Sequence, residues 1–346
     1  MTTTTPTSTS QYDAIGSKYN LFKALPTSAI EVVSLEAALT PYIRGEKRRE
    51  GSNGAGGFRV LDLACGTGYY SRKLVQEWGA SYVLGIDLST EMVQVARQQH
   101  KHQDERKEVT NGRVGEQEFH KLGQTAAAPP KIEFRVGNAM TLGKVVVDGD
   151  NKEEGTRGFD MVVGAWLLNY AASLQELTAM FSTVATNLRL SSDGGGVFVG
   201  VTPPVVSAGE FDAYAARSNL HWGNSESNRN NAAAQYGVSV HYYEKLESGE
   251  GWRTEVTMSG AGEATRGPER NGEEQKLKGV SFRNYHLTKD VYEQAARDGG
   301  MRGLLEWRKV EEPLPEAVVA ATGEEFWKEY SRAGAHLSVL VVERGD

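Results

Sequence analysis

Val60-Leu61-Asp62-Leu63-Ala64-Cys65-Gly66-Thr67-Gly68 is the stretch that decides the fold: an apolar, strand-like run (58–63) enters a glycine-bearing turn, and a helical stretch (70–78) follows. Glycine at positions 66 and 68 lets the backbone approach a ligand closely, and the helix start beyond presents unsatisfied N–H groups. A nucleotide-like cofactor fits such a turn. Nineteen residues past Gly68, Asp87 ends a second strand-like run (82–87), where its carboxylate can accept both hydroxyls of a ribose. A dinucleotide fingerprint would carry a third glycine; the chain has Ser71 there, preceded by the bulky Tyr69 and Tyr70, which argues against a pyrophosphate seat.

Outward from this unit the pattern alternates. Helical stretches at 90–100 and 174–190 separate strand-like runs at 132–136, 159–165 and 196–201, and the C-terminus adds helices at 289–297 and 324–331 with strands at 304–310 and 337–343. Strands separated by helices imply parallel pairing through right-handed crossovers. The expected fold class is therefore α/β, a doubly wound, mostly parallel sheet. Between 202 and 285 the period shortens to runs at 237–243, 254–258 and 280–285, which read as a small antiparallel add-on over the ligand edge of the sheet.

With 346 residues, the length fits about two domains or one α/β domain with insertions. We expect residues 1–10 to be a disordered tail and 11–57 to be an N-terminal helical lid and linker, with an amphipathic helix over 30–39 ending near Pro41 and the linker over 45–57. Residues 58–346 form the main domain, with insertions at 101–130 and 203–285; 101–130 and 260–276 read as loops without structure of their own.

Composition excludes several classes. A formal charge of −7 and no basic stripe make nucleic acid a poor partner. No apolar run approaches the ~18 residues of a membrane span. The single cysteine, Cys65, allows neither an internal disulfide nor a cysteine-based zinc cluster, which suits a reducing compartment, and its thiol reads as a small buried hydrophobe. The expectation is a soluble, cytoplasmic protein. The seven histidines, His100, His102, His120, His221, His241, His286 and His336, show no HExxH or similar spacing, so no metal is expected. Asp148-Gly149-Asp150-Asn151 resembles a calcium loop but has Lys152, Glu153 and Phe159 at later ligand or turn positions. Thr202-Pro203-Pro204-Val205 is similar to the proline pair of DNA amino-methyltransferases, yet follows the fifth strand instead of the fourth.

VLDLACGTG with Gly85-Ile86-Asp87-Leu88-Ser89 resembles the first two motifs of class I S-adenosylmethionine-dependent methyltransferases. Gly137-Asn138-Ala139 and Phe159–Tyr170 extend the resemblance, and LNYA with the N-terminal YDAIGSKYN is similar to methyltransferases that act on small natural products. The resemblance implies a seven-stranded Rossmann-like sheet, S-adenosyl-L-methionine as cofactor with S-adenosyl-L-homocysteine as product, and a small-molecule substrate. It assigns to the cofactor the turn at Ala64, Cys65, Gly66 and Gly68, with Asp62, Asp87, Leu88, Met92, Asn138, Ala139 and Ala165, and places Tyr12 and Tyr19 in the lid. Trp166, Asn169, Tyr170, Trp222 and Tyr285 would meet the substrate. His221 and His241 would do so too, and either could take a proton from a hydroxyl nucleophile. The residues leave two other readings open: a cofactor-binding protein without methyl transfer, and a nicotinamide-dependent oxidoreductase.

Overall fold

The central strands change face residue by residue. Val60, Met161, Val163, Val197, Val199, Val339 and Val341 pack into one hydrophobic layer, whereas Leu61, Leu63, Val162, Phe198, Leu340 and Val342 pack into the other. A sheet buried on both faces needs helices on both, and the chain supplies them.

The computed structural model describes residues 11–13, 16, 19–46, 57–111, 130–147, 158–190, 192, 195–259, 280–310, 314–333 and 337–346. Helices Tyr19–Lys23 (α1) and Ser28–Ile43 (α2) precede Arg59–Leu63 (β1), Tyr69–Gln76 (α3), Tyr82–Asp87 (β2), Thr90–Asn111 (α4), Lys131–Val136 (β3) and Met161–Ala165 (β4). Leu174–Asn187 (α5), Val197–Thr202 (β5), Phe211–Trp222 (α6) and Glu226–Tyr236 (α7) lead to Val238–Lys245 (β6), Gly251–Met258 (β7) and Val280–Leu287 (β8). Lys289–Asp298 (α8), Leu305–Arg308 (β9), Glu316–Thr322 (α9), Glu324–Tyr330 (α10) and Ser338–Glu343 (β10) complete the chain. The seven-stranded sheet has the order β3-β2-β1-β4-β5-β10-β9, parallel through β5, with β10 antiparallel to both neighbours. A separate antiparallel sheet runs β6-β7-β8.

Helix α2 continues past its expected end. Pro41 lies inside the last turn of α2, and the Ala37 carbonyl that it leaves without a helical donor accepts from Arg308 Nη1 at 3.5 Å. α4 runs on to Asn111, so part of the expected 101–130 insertion is helical and residues 112–129 lie outside the described residues. The same holds for the tail 1–10, most of the 45–57 linker, the loop 260–276, His120, His336 and the 148–151 stretch. The add-on contains the three expected strands but opens with two helices, α6 and α7, whose weak apolar periodicity hid them. Ser225 caps α7 by accepting from Asn228 N at 3.2 Å. Among the described residues, no helix is long and apolar enough to cross a membrane.

Candidate active site

The turn after β1 is held in a conformation that favours glycine. Ala64, Gly66 and Gly68 have φ of 61°, 54° and 74°. Cys65 N donates to Ile86 O at 3.1 Å, and Gly66 N donates to Asp87 Oδ2 at 2.8 Å. The other oxygen of Asp87 accepts from Ser89 N at 2.9 Å, so this half-buried carboxylate ties the glycine turn to the start of α4. Each oxygen retains a lone pair for a further donor. Burial holds the Asp87 carboxyl above the usual range, against the opposing pull of its backbone donors.

The two glycines do different work. A Cβ on Gly66 would meet only the edge of the Tyr19 ring, at 4.0 Å, so the space over this peptide is open. A Cβ on Gly68 would lie 2.6 Å from Phe134 Cζ and 3.0 Å from Arg72 Nη1, so that side is filled by protein. Gly68→Ala is expected to cost about 3 kcal/mol of stability, combining left-handed strain with overpacking, whereas Gly66→Ala should cost only about 1 kcal/mol. Chemical denaturation of both variants checks this; equal costs would refute the distinction.

Asp62 is buried, and Ser71 Oγ donates to its Oδ2 at 2.6 Å. Burial pushes the Asp62 carboxyl up to about 7, the Ser71 bond offsetting part of the rise. The serine in the third glycine position thus fixes the acid of the same motif. At the ends of β2 and β3, Leu88 and Val136 are 46% and 49% exposed, an apolar pair flanking Asp87. Asn138 is exposed and its Oδ1 accepts from Met140 N at 2.9 Å, so it is a turn residue with an amide still open to solvent. Ala139 and Ala165 are half-buried, and Met92 packs with Phe22, Leu25 and Phe282.

Under the add-on lies a cavity of about 140 Å³. Trp166, Asn169 and Tyr170 line it from the β4 end, Tyr12 and Tyr19 from the N-terminal segment, and Tyr214, Ser218 and Trp222 from α6 at a spacing of four. From the small sheet come Val238, Val240 and Tyr242, then Thr254, Val256 and Met258, then Phe282, Asn284 and His286: every second residue of each strand. The same parity sets three expected residues apart from the lining. His241 and Tyr285 sit on the opposite face of their strands, and His221 is turned one position off the lining row of α6, against Trp222 and Tyr236. None of the three lines the cavity. Burial lowers the pKa of both His221 and His241.

The wall also holds polar groups that local sequence does not reveal. Lys23 and Glu31 form a buried ion pair at 2.7 Å, with the ammonium 4.7 Å from the Tyr70 ring centroid. Their separation of eight residues across a break between helices leaves no motif to find. His286 is buried, its Nδ1 2.8 Å from Tyr242 Oη and its Nε2 2.7 Å from Pro204 O. Burial drives His286 down to about 3, so the ring is neutral; Nε2–H donates to the carbonyl and Nδ1 accepts from Tyr242. Tyr214 and Ser218 were legible only as the residues eight and four before the expected Trp222, in an unrecognised helix. Trp166 has φ 63°, backbone strain of the kind that collects at functional sites. The N-terminal segment is fastened over this region: Gln11 exchanges two hydrogen bonds with the Arg283 backbone (2.9 and 3.0 Å), Asn20 Oδ1 accepts from Thr67 at 2.6 Å, and Tyr12 Oη bonds Tyr170 Oη.

Residues 60–128 match the family described as "Methyltransferase domain", and the sheet order matches the seven-stranded Rossmann-like arrangement of that class. The fold is that of the class I methyltransferases. No curated protein matches the chain in sequence. Among solved structures it is similar to an S-adenosylmethionine-dependent methyltransferase from Clostridium acetobutylicum (14% identity, 84% of this chain and 85% of that one, TM-score 0.45). It is also similar to an amino pentose methyltransferase from Micromonospora echinaspora (14%, 89% of each chain, TM-score 0.42). A sugar N-methyltransferase from a Streptoalloteichus species gives 16% identity over 90% of this chain and 87% of that one, with TM-score 0.41. The turn fits S-adenosylmethionine on its own geometry: open space over Gly66, spare acceptors on Asp87 and an apolar pair beside it could hold an adenosine.

Proposed function

We propose that this methyltransferase transfers a methyl group to an oxygen, nitrogen or sulfur atom of a small, partly aromatic metabolite. The observation that carries this reading is the walled aromatic cavity, which shares the Tyr19 ring with the open side of Gly66 and whose lining suits a flat, partly apolar ligand. In this reading Asp87 holds the ribose, the turn from Ala64 to Gly68 encloses the rest of the cofactor, and Leu88 with Asn138 borders the adenine. Residues 11–23 act as a lid, and residues 203–285 as the cover that shapes the acceptor site. When bound, S-adenosylmethionine supplies a methyl group already activated by its sulfonium, so the residues of this chain contribute placement and exclusion of water.

The test has two stages. Calorimetry should show S-adenosylhomocysteine binding to the full chain. Incubation with S-adenosylmethionine and a metabolite extract should then yield S-adenosylhomocysteine together with a product heavier by one methyl substitution. Binding without product from any extract would leave a cofactor-binding protein and overturn the catalytic reading.

A further inference from the structure

Asn169 is 1% exposed, lies in the cavity wall between Trp166 and Tyr170, and its Oδ1 is buried without a hydrogen-bond partner. An orphaned amide oxygen costs free energy unless a ligand supplies a donor. The three-residue turn that carries it, Leu168–Tyr170, follows β4, and β4 pairs with β1 with Val163 level with Asp62. Asn169 therefore follows the strand next to β1, at the end of the sheet where the glycine turn lies. We infer that the methyl acceptor is a neutral amine whose N–H donates to Asn169 Oδ1. The inference rests on the function proposed above and narrows it.

The rest of the wall separates an amine from a hydroxyl. A hydroxyl nucleophile needs a base to take its proton; a neutral amine carries its own lone pair. Among the described lining residues, each candidate base is engaged: Glu31 by Lys23, and His286 on both ring nitrogens. Burial holds the hydroxyls of Tyr19, Tyr170, Tyr214, Tyr242 and Tyr330 in the phenol form, Tyr214 up to about 12. An amide oxygen accepts a hydrogen bond but does not take the proton. It can orient the amine so that its lone pair points away from the N–H and toward the methyl carbon. The nitrogen lone pair then forms the C–N bond while the C–S bond breaks and its electrons remain on sulfur. The sulfonium charge passes to nitrogen, which the amide oxygen and the faces of Trp166 and Tyr170 can stabilise. The extra proton leaves to water.

The experiment uses matched ring compounds, aminoindoles against hydroxyindoles and aminoquinolines against hydroxyquinolines, with aralkyl amines and their alcohols. Binding to the full chain loaded with S-adenosylhomocysteine is read by tryptophan fluorescence, and methylated products by mass and position. The amines should bind and gain the methyl on nitrogen. Asn169→Leu should lower kcat/KM for them about 100-fold and weaken their binding, while S-adenosylhomocysteine affinity is kept. Asn169→Asp, which keeps an acceptor oxygen, should restore amine binding. Methyl on oxygen, amine turnover indifferent to Asn169→Leu, or no amine bound by a chain that binds S-adenosylhomocysteine would each overturn the amine assignment. A chain that fails to bind S-adenosylhomocysteine would refute the underlying cofactor reading instead.

Discussion

Asp87→Ala is expected to weaken S-adenosylhomocysteine binding about 100-fold or more, the largest effect of any single substitution around the turn. Two losses combine. The first is the pair of charge-assisted bonds that the carboxylate would make to the ribose, each of order 1.5–3 kcal/mol. The second is internal: the carboxylate now bridges Gly66 N and Ser89 N, and without it two backbone donors lose their partner and the turn comes untied from α4. A 100-fold change corresponds to about 2.7 kcal/mol, which either loss could approach alone. Asp87→Asn keeps one acceptor oxygen and should fall between wild type and Asp87→Ala. Calorimetry decides; a change below about fivefold with an unaltered fold would show that the carboxylate serves only the turn.

The second large effect depends on pH. Asp62 titrates near 7 in the folded chain against an ordinary value of 3.8, so the folded state holds a proton that the unfolded chain has already lost. Its contribution to stability is fully present below the unfolded value and is lost as pH rises to about 7. The loss is about 1.4 kcal/mol per unit across that window, or about 4 kcal/mol in all. Asp62→Asn keeps an oxygen to accept from Ser71 and cannot ionise. Relative to wild type it should therefore gain stability steadily between pH 4 and 7 and level off above. Urea unfolding of both proteins over this range measures the difference; parallel curves would mean that Asp62 is charged in the fold throughout. The cofactor bears cationic groups, so its binding should favour the ionised carboxylate and release a proton on the acid side of 7.

Much of the fold was legible because buried parallel strands announce themselves as short apolar runs ended by glycine or an acid, as in 60–68 and 82–87. The family match over 60–128 bears on that same stretch. Helix ends were less legible. Pro41 stops a helix only when the freed carbonyl goes unserved, and Arg308, distant in sequence, serves it. α6 and α7 bury few residues, so their composition carried no period to detect. In the cavity, the types of residue were foreseen better than the faces. Trp222 lines the wall while its neighbour His221 does not, and His286 does while Tyr285 does not. Choosing between adjacent residues needs the exact pleat and helix phase, which a run of aromatic and polar residues does not fix. Lys23 and Glu31 needed the path of the chain itself.

The three strands of the add-on stack their inward residues in rungs: Val240 opposite Val256 opposite Phe282, and Tyr242 opposite Thr254 opposite Asn284. These rungs belong to a sheet that shares no strand with the seven-stranded one. In the proposed reading, acceptor preference can therefore drift by swapping side chains along a ladder while the sheet proposed to hold the methyl donor keeps every backbone bond. Mutational change in what is methylated is in this way uncoupled from whether methylation can occur at all.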